Sequence, residues 1–171
     1  MRRALALLAA AAAGAGAVAV ITTGGDDAPT PAAAQRWTAP DRAFSVALPQ
    51  GWRAIESGDA ATVLARRDRR GLVVVRPRAA VTGSLDALGA GLTKQVRRQL
   101  PGARAAGTRR FRAGGRDALL TTFVRGSRVH AVAVVPAGSR RSWSLDVVAA
   151  GEGAVARDVA GLLRSFRPLQ G

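Results

Sequence analysis

The chain of 171 residues has no cysteine, no tyrosine, one lysine and one histidine, and its 11 carboxylates face 26 basic side chains. Without cysteine there are no disulfides and no thiolate-held zinc or iron. Redox compartment stays open, because only the presence of cysteine would report on it. The single imidazole, His130, falls in the apolar run VHAVAVV. A metal site there would need carboxylate help that no spacing nominates, and a general base would need an orienting partner. A structural histidine is the simpler reading, and a ligand-contacting one the alternative.

Phosphate-binding and nucleophile motifs are also missing. Gly89-Ala90-Gly91 sits inside a helical pattern with no lysine directly after it, so it fits neither nucleotide signature. The run GSL at 83–85 lacks the flanking glycines of a nucleophile elbow and reads as a helix cap. Glu56 and Asp59, three apart in ESGDA, read as a solvated loop rather than an acid–base pair. Asp117 and Asp146 fall in strand patterns, where each can pair with an arginine on a neighbouring strand. No catalytic set results. The expectation is a protein that is not an enzyme, with no cofactor and no metal.

What the chain does have is arginine, alanine and a net charge of +15. GC-rich coding alone would produce such a bias. An anionic partner would also account for it.

The amino terminus, MRRALALLAAAAAGAGAVAVITTGG, puts Arg2 and Arg3 ahead of 18 uncharged residues, 4–21. As a helix that run measures ~27 Å, just short of the ~30 Å hydrocarbon core of a bilayer. Residues 1–24 therefore read as a signal peptide or a retained anchor, with the domain on the outer face. No cysteine follows, which excludes lipoprotein-type lipidation. Residues 25–36, Pro- and Ala-rich, read as a flexible tether. Residues 37–171 read as a single exported domain.

Within that domain, FSVALPQGW at 44–52 alternates and then breaks at Pro49 and Gly51. Strands follow at 61–66 and 72–76. Leu85, Leu88, Leu92 and Val96 then recur at helical spacing, with Ser84 as N-cap. Gly89 and Gly91 weaken that helix by up to ~1 kcal/mol each. Four more strands, 108–112, 117–124, 129–135 and 142–149, are separated by turns short enough for antiparallel neighbours. A last helix carries Val155, Val159, Leu162, Leu163 and Phe166 on one side. The expected fold is α+β, an antiparallel sheet of about seven strands covered by two main helices.

The entry FSVALPQGW resembles the F-x-[VI]-x-x-P-x-G-W opening of the Mog1/PsbP-like superfamily, and LLRSFRP at 162–168 resembles its terminal helix. The likeness covers roughly 37–169 and extends to exported actinobacterial proteins of the LpqN/LpqT kind. Those lipid-modified members carry a cysteine that is missing here. The resemblance implies the fold and is nearly silent on activity.

The arginines are not evenly spread. Residues 66–128 carry a net +13, whereas 129–171 carry +2. Clusters stand at Arg66, Arg67, Arg69 and Arg70, at Lys94, Arg97 and Arg98, and at Arg109, Arg110, Arg112 and Arg116. If they converge, they form one basic face for anionic membrane lipid, an envelope polymer or an acidic protein. Nucleic acid is disfavoured, because no recognition helix or stacking platform is evident. The leading expectation is a non-catalytic, membrane-tethered or secreted accessory protein that binds through this face. The alternative is a small-molecule or lipid carrier with a pocket between sheet and helix, rimmed by Trp52 and His130.

Overall fold

The computed structural model describes residues 34–58, 60–150 and 153–169; the apolar run 4–21 and Asp59 lie outside them. The chain forms β1 (Gln35–Thr38), β2 (Phe44–Leu48), β3 (Trp52–Gly58), β4 (Ala61–Arg66) and β5 (Gly71–Ala79). Then come α1 (Leu85–Gln99), β6 (Arg104–Ala113), β7 (Arg116–Arg125), β8 (Arg128–Pro136), β9 (Arg141–Ala150), α2 (Gly153–Ser165) and β10 (Arg167–Pro168). One sheet has seven strands in the order β3-β4-β5-β9-β8-β7-β6, and the other has three in the order β1-β2-β10. Every pairing is antiparallel.

An α+β fold with a seven-stranded antiparallel sheet and two helices is what the sequence predicts, but the membership differs. β2, read as the entry strand of the large sheet, belongs to the small one. Its place is taken by β3, which leaves most side chains exposed and carries a bulge between Ala54 and Glu56. With little apolar alternation, β3 leaves no strand pattern to read. Glu56, read as loop, sits in this edge strand opposite Val63. Gln35 and Arg36, read as tether, already pair with Leu48 and Ala47.

The core lies between α2, β2 and one face of the large sheet. Leu64, Val73, Val75, Leu145 and Val147 from the sheet meet Val155, Val159, Leu162 and Leu163 from α2. Phe44 joins the two sheets, with its ring 5.2 Å from Trp143, 5.1 Å from Phe166 and 5.8 Å from Trp37. The Ser165 hydroxyl accepts from the Ala47 N–H at 2.9 Å and donates to the Leu162 carbonyl, tying β2 to the end of α2.

α1 packs on the opposite face of the sheet, against β7 and β6. Ser84 caps it as predicted, accepting from the Ala87 N–H at 3.2 Å. Gly89, a weak helix former, has a positive role here. A Cβ at that position would stand 2.8 Å from the Thr108 methyl, so its absence lets α1 approach the sheet.

Candidate functional site

The basic clusters sort by which end of the strands they occupy. Arg125 pairs with Arg128, Arg128 pairs with Ala150, and the Ala150 N–H donates to the Arg70 carbonyl at 2.9 Å. Four adjacent strands thus set Arg125, Arg128 and Arg70 in one transverse row. The β4–β5 hairpin carries Arg67 and Arg69 in the same turn. Asp68 builds that turn. Its carboxylate accepts from the Arg70 N–H at 3.0 Å and holds the Arg66 guanidinium at 3.2 Å. Arg66 also meets Asp158 of α2 at 3.7 Å. Arg69 takes φ +60°, an uncommon conformation for a residue with a side chain.

The last turn of α1 presents Arg97 and Arg98, one turn beyond Lys94. It leads through Pro101 and Gly102 to Arg104, which pairs with Val124 at this same end of the sheet. Among the described residues no carboxylate lies within ion-pair reach of Arg67, Arg69, Arg70, Arg97, Arg98, Arg125 or Arg128. The row spans four interstrand steps from β5 to β6, about 19 Å.

The third cluster stands elsewhere. Arg110 and Arg112 pair with Leu119 and Asp117, and Arg116 begins β7 at the opposite end of the strands. Arg110 is held by Asp86 at 2.9 Å and Arg112 by Asp117 at 3.3 Å. Arg109 points to the other face, opposite Leu120, and burial pulls its guanidinium pKa down. The structure therefore brings two clusters to one end of the sheet and leaves the third along its β6 edge. Arg104, Arg125 and Arg128 stand outside the sequence clusters. Their signal is the RGS turn itself, since a hairpin tip and a strand start share one end of a sheet.

Trp52 and His130 lie on opposite faces of the sheet, so no single rim holds both. Trp52 is 6% exposed and faces α2, where its indole N–H donates to Asp158 at 3.1 Å. His130 is half-buried on the α1 face, between Phe123 and Val148. Burial, and then the charges of Arg125 and Arg128, hold its imidazole below the usual range. Among the described residues no hydrogen bond joins it to a carboxylate or hydroxyl. Asp146, on the same face, is ion-paired with Arg76. Burial raises its pKa, and the charges of Arg76 and Arg78 oppose the rise. Among the described residues no group of three or more ligating side chains could hold a metal ion.

A cleft of about 390 Å³ opens at the far end of the strands, between the β1–β2 turn and the ends of β4, β5 and β9. Phe44, Val75 and Trp143 are among its walls. It differs from the predicted pocket in lying between two sheets rather than under a helix.

No protein-family profile matches the chain, and no curated protein matches it. Among solved structures it is similar to the cyanobacterial PsbP protein (CyanoP) from Synechocystis sp. PCC 6803, at 14% identity and a TM-score of 0.58. That match covers 84% of this chain and 96% of that one. A Bacteroides thetaiotaomicron protein matches at 12% identity and TM-score 0.42, over 78% of this chain and 48% of its own. A Pseudomonas aeruginosa protein of unknown function, described as a putative regulator, matches at 13% and 0.41, over 68% and 83%. With the ten strands and two helices of the described residues in this arrangement, and with the CyanoP likeness spanning most of both chains, the fold is Mog1/PsbP-like, as residues 44–52 implied.

Proposed function

We propose that the chain is a non-catalytic, exported accessory domain, tethered to or released from a membrane, which binds anionic phospholipid head groups through its basic strand end. One observation carries the reading: the chain enters the domain at that same end. Gln35 pairs with Leu48, the β2 strand turns through Gly51, and the Gly51 carbonyl accepts from the Arg67 N–H at 2.8 Å. A membrane-inserted run at residues 4–21 would therefore deliver the arginine row toward the head groups. Each basic side chain close to an anionic surface contributes up to ~1 kcal/mol. An apolar anchor and a basic patch together give the two signals that stable attachment requires. Among the described residues no helix is long and apolar enough to cross a membrane, so the tether has to come from outside them. The same reading relates the chain to the exported LpqN/LpqT kind, with the apolar run in place of a lipidated cysteine.

The test is co-sedimentation of the full chain with phosphatidylglycerol vesicles and with phosphatidylcholine vesicles. Binding to the anionic vesicles should be stronger, and the excess should fall as salt shortens the ~10 Å screening length at 0.1 M. Charge reversal at Arg69, Arg70, Arg125 and Arg128 should abolish the excess, while Arg116→Glu at the other end should keep it. Equal binding to both vesicles, or equal sensitivity to Arg116→Glu, would overturn the reading. Salt-sensitive capture of an acidic protein or polymer in place of lipid would reassign the partner and reject the lipid.

A further inference from the structure

β5 and β9 carry sequences that do not suit a half-solvated sheet. β5 begins GLVVV and β9 ends VVAA, apolar runs of the kind found in strands buried on both faces. An antiparallel strand with one wet face should alternate to polar residues instead. α2 accounts for one side, where Val73, Val75, Leu145 and Val147 are sealed. On the other side, among the described residues, no helix packs on β4, β5 and β9, because α1 sits over β6 and β7.

Cross-strand register builds the uncovered floor. Ala65, Leu72 and Val148 stand in one transverse row that continues to His130. Val63 and Val74 stand in the next, with Asp146 and Val132 beyond them. All of these side chains are half-exposed. Arg76 neutralises Asp146, so the floor itself has no net charge. Its border is basic. Arg53 closes the first row on β3, and Arg125 and Arg128 stand one pleat nearer the strand end on the same face. Among the described residues no carboxylate lies within ion-pair reach of these three. Glu56 ends the second row on β3 and sets one carboxylate against the three guanidiniums.

The floor spans β4 to β8, three interstrand steps or about 14 Å, which is room for one helix of ~10–12 Å diameter. α1 stands beside it as a step one helix thick. A flat bilayer or the sheet of a second copy would meet α1 before it reached the floor. A second copy would also bring arginines against arginines. The chain's own run 4–21 is uncharged and has nothing to offer the basic border. We infer that the floor is a docking groove for an amphipathic helix of a partner protein, apolar on one stripe and acidic on its flanks. The stripe lies on Leu72, Val74 and Val148, beside α1, and the acids reach Arg53, Arg125 and Arg128. This is recognition of a helix in a groove, and α1 on β6 and β7 already displays the packing on the same face. It does not rest on the lipid reading.

The chain's single histidine sits in this floor, so its imidazole proton resonance reports occupancy in the unmutated full chain. The probe is a synthetic amphipathic peptide of about 14 residues, ~21 Å as a helix, with leucine along one stripe and glutamate on its flanks. Titration should move the His130 resonance and saturate. A peptide of the same composition with the stripe scrambled should bind at least ~10-fold more weakly, and so should one with lysine in place of glutamate. Val74→Glu should cost the stripe peptide about tenfold, whereas Ala154→Glu, the same charge added on the α2 side, should cost nothing. Arg53→Gln, at an exposed position outside the core, should cost about two- to fivefold, and Arg116→Gln at the far strand end should not. Equal binding of the striped and scrambled peptides would overturn the assignment. So would a His130 resonance that stays fixed at saturation, or equal losses in Arg53→Gln and Arg116→Gln. A resonance that shifts with protein concentration alone would give the floor to a second copy. Nuclear Overhauser contacts from residues 4–21 to His130 would give it to the chain's own run, and either result rejects the partner helix. No lipid is present, so a failure of vesicle binding changes none of these outcomes.

Discussion

On β9, Leu145, Val147 and Ala149 point toward α2 and are at most 2% exposed, whereas Asp146 and Val148, their alternating neighbours, point to the other face and stay half-buried. The same division runs through β5, where Val73 and Val75 are sealed and Leu72 and Val74 are not. α1 packs on β6 and β7, and among the described residues no helix packs on the β4-β5-β9 part of that face. One sheet therefore has two unlike surfaces. The α2 face holds the main core; the α1 face buries Leu119, Phe123 and Val134 on β7 and β8, and beyond them holds half-exposed aliphatics on β5 and β9 with the titrating groups His130 and Asp146. Folding energy should be concentrated on the first face and pH sensitivity on the second.

The most severe test of that contrast lies within one strand. Leu145→Ala should cost about 2–5 kcal/mol in urea unfolding, because it leaves a cavity under α2. Val148→Ala, three residues along and on the other face, should cost about 1 kcal/mol or less, because its side chain is already half in water. Equal losses would mean that the α1 face is as tightly packed as the core.

A second test concerns packing at the core edge. A Cβ at Gly71 would stand 2.7 Å from the Trp52 ring and 3.3 Å from Val155. Gly71→Ala should therefore cost about 1–3 kcal/mol by overpacking, even though alanine is otherwise neutral in a strand. The Trp52 side chain should move with it, and fluorescence reads that displacement. An unchanged midpoint would show that Trp52 can shift without loss, and that its bond to Asp158 is dispensable.

Much of this was legible in the residues and some was not. Apolar runs between short turns marked β4, β5, β7, β8 and β9; β5 and much of β9 alternate between a sealed and a half-open face, whereas β7 is buried on both. The stripe Val155, Val159, Leu162 and Leu163 marked α2, because a surface helix must bury one side. Phe166, just past the end of α2, extended the same stripe. β1, β3 and β10 left no such signal. They are edge strands, and edges need only backbone pairing. The arginine clusters were visible, but their grouping was not, since strand order decides which turns share an end. The cleft was invisible for a similar reason. Phe44, Val75 and Trp143 fall in strand segments with nothing to set them apart, and only the meeting of two sheets leaves a gap beside them.

The pH response of His130 probes the contrast from the α1 face. Its pKa is lowered in the fold, by burial first and then by Arg125 and Arg128. The unfolded chain therefore binds the proton more readily. Stability from this group is complete above the unfolded value near 6.5 and declines as the pH falls through the folded value. His130→Gln should flatten the stability–pH curve across that window, in denaturant titrations at stepped pH. A curve that keeps its slope would place the titration in another group.

Asp146 should show the smallest effect and the opposite sign. Burial raises its pKa above 3.8, and the nearby charges of Arg76 and Arg78 work against that rise. The folded state thus binds the proton more readily than the unfolded chain. Its contribution is largest at low pH and is lost as the pH rises through the folded value. Arg76→Ala removes the ion-pair partner and leaves the desolvation in place, so the pKa should climb further. Carboxyl carbon shifts followed against pH read that climb directly. Both side chains are about a third exposed, at 31% and 33%, so water screens the pair and the stability change should stay well below that of Leu145→Ala. A pKa that falls in Arg76→Ala would show that the Arg76 side chain itself supplies much of the burial around the carboxyl. In that case the half-open face would be wetter than the packing of Val74 and Val132 around Asp146 implies.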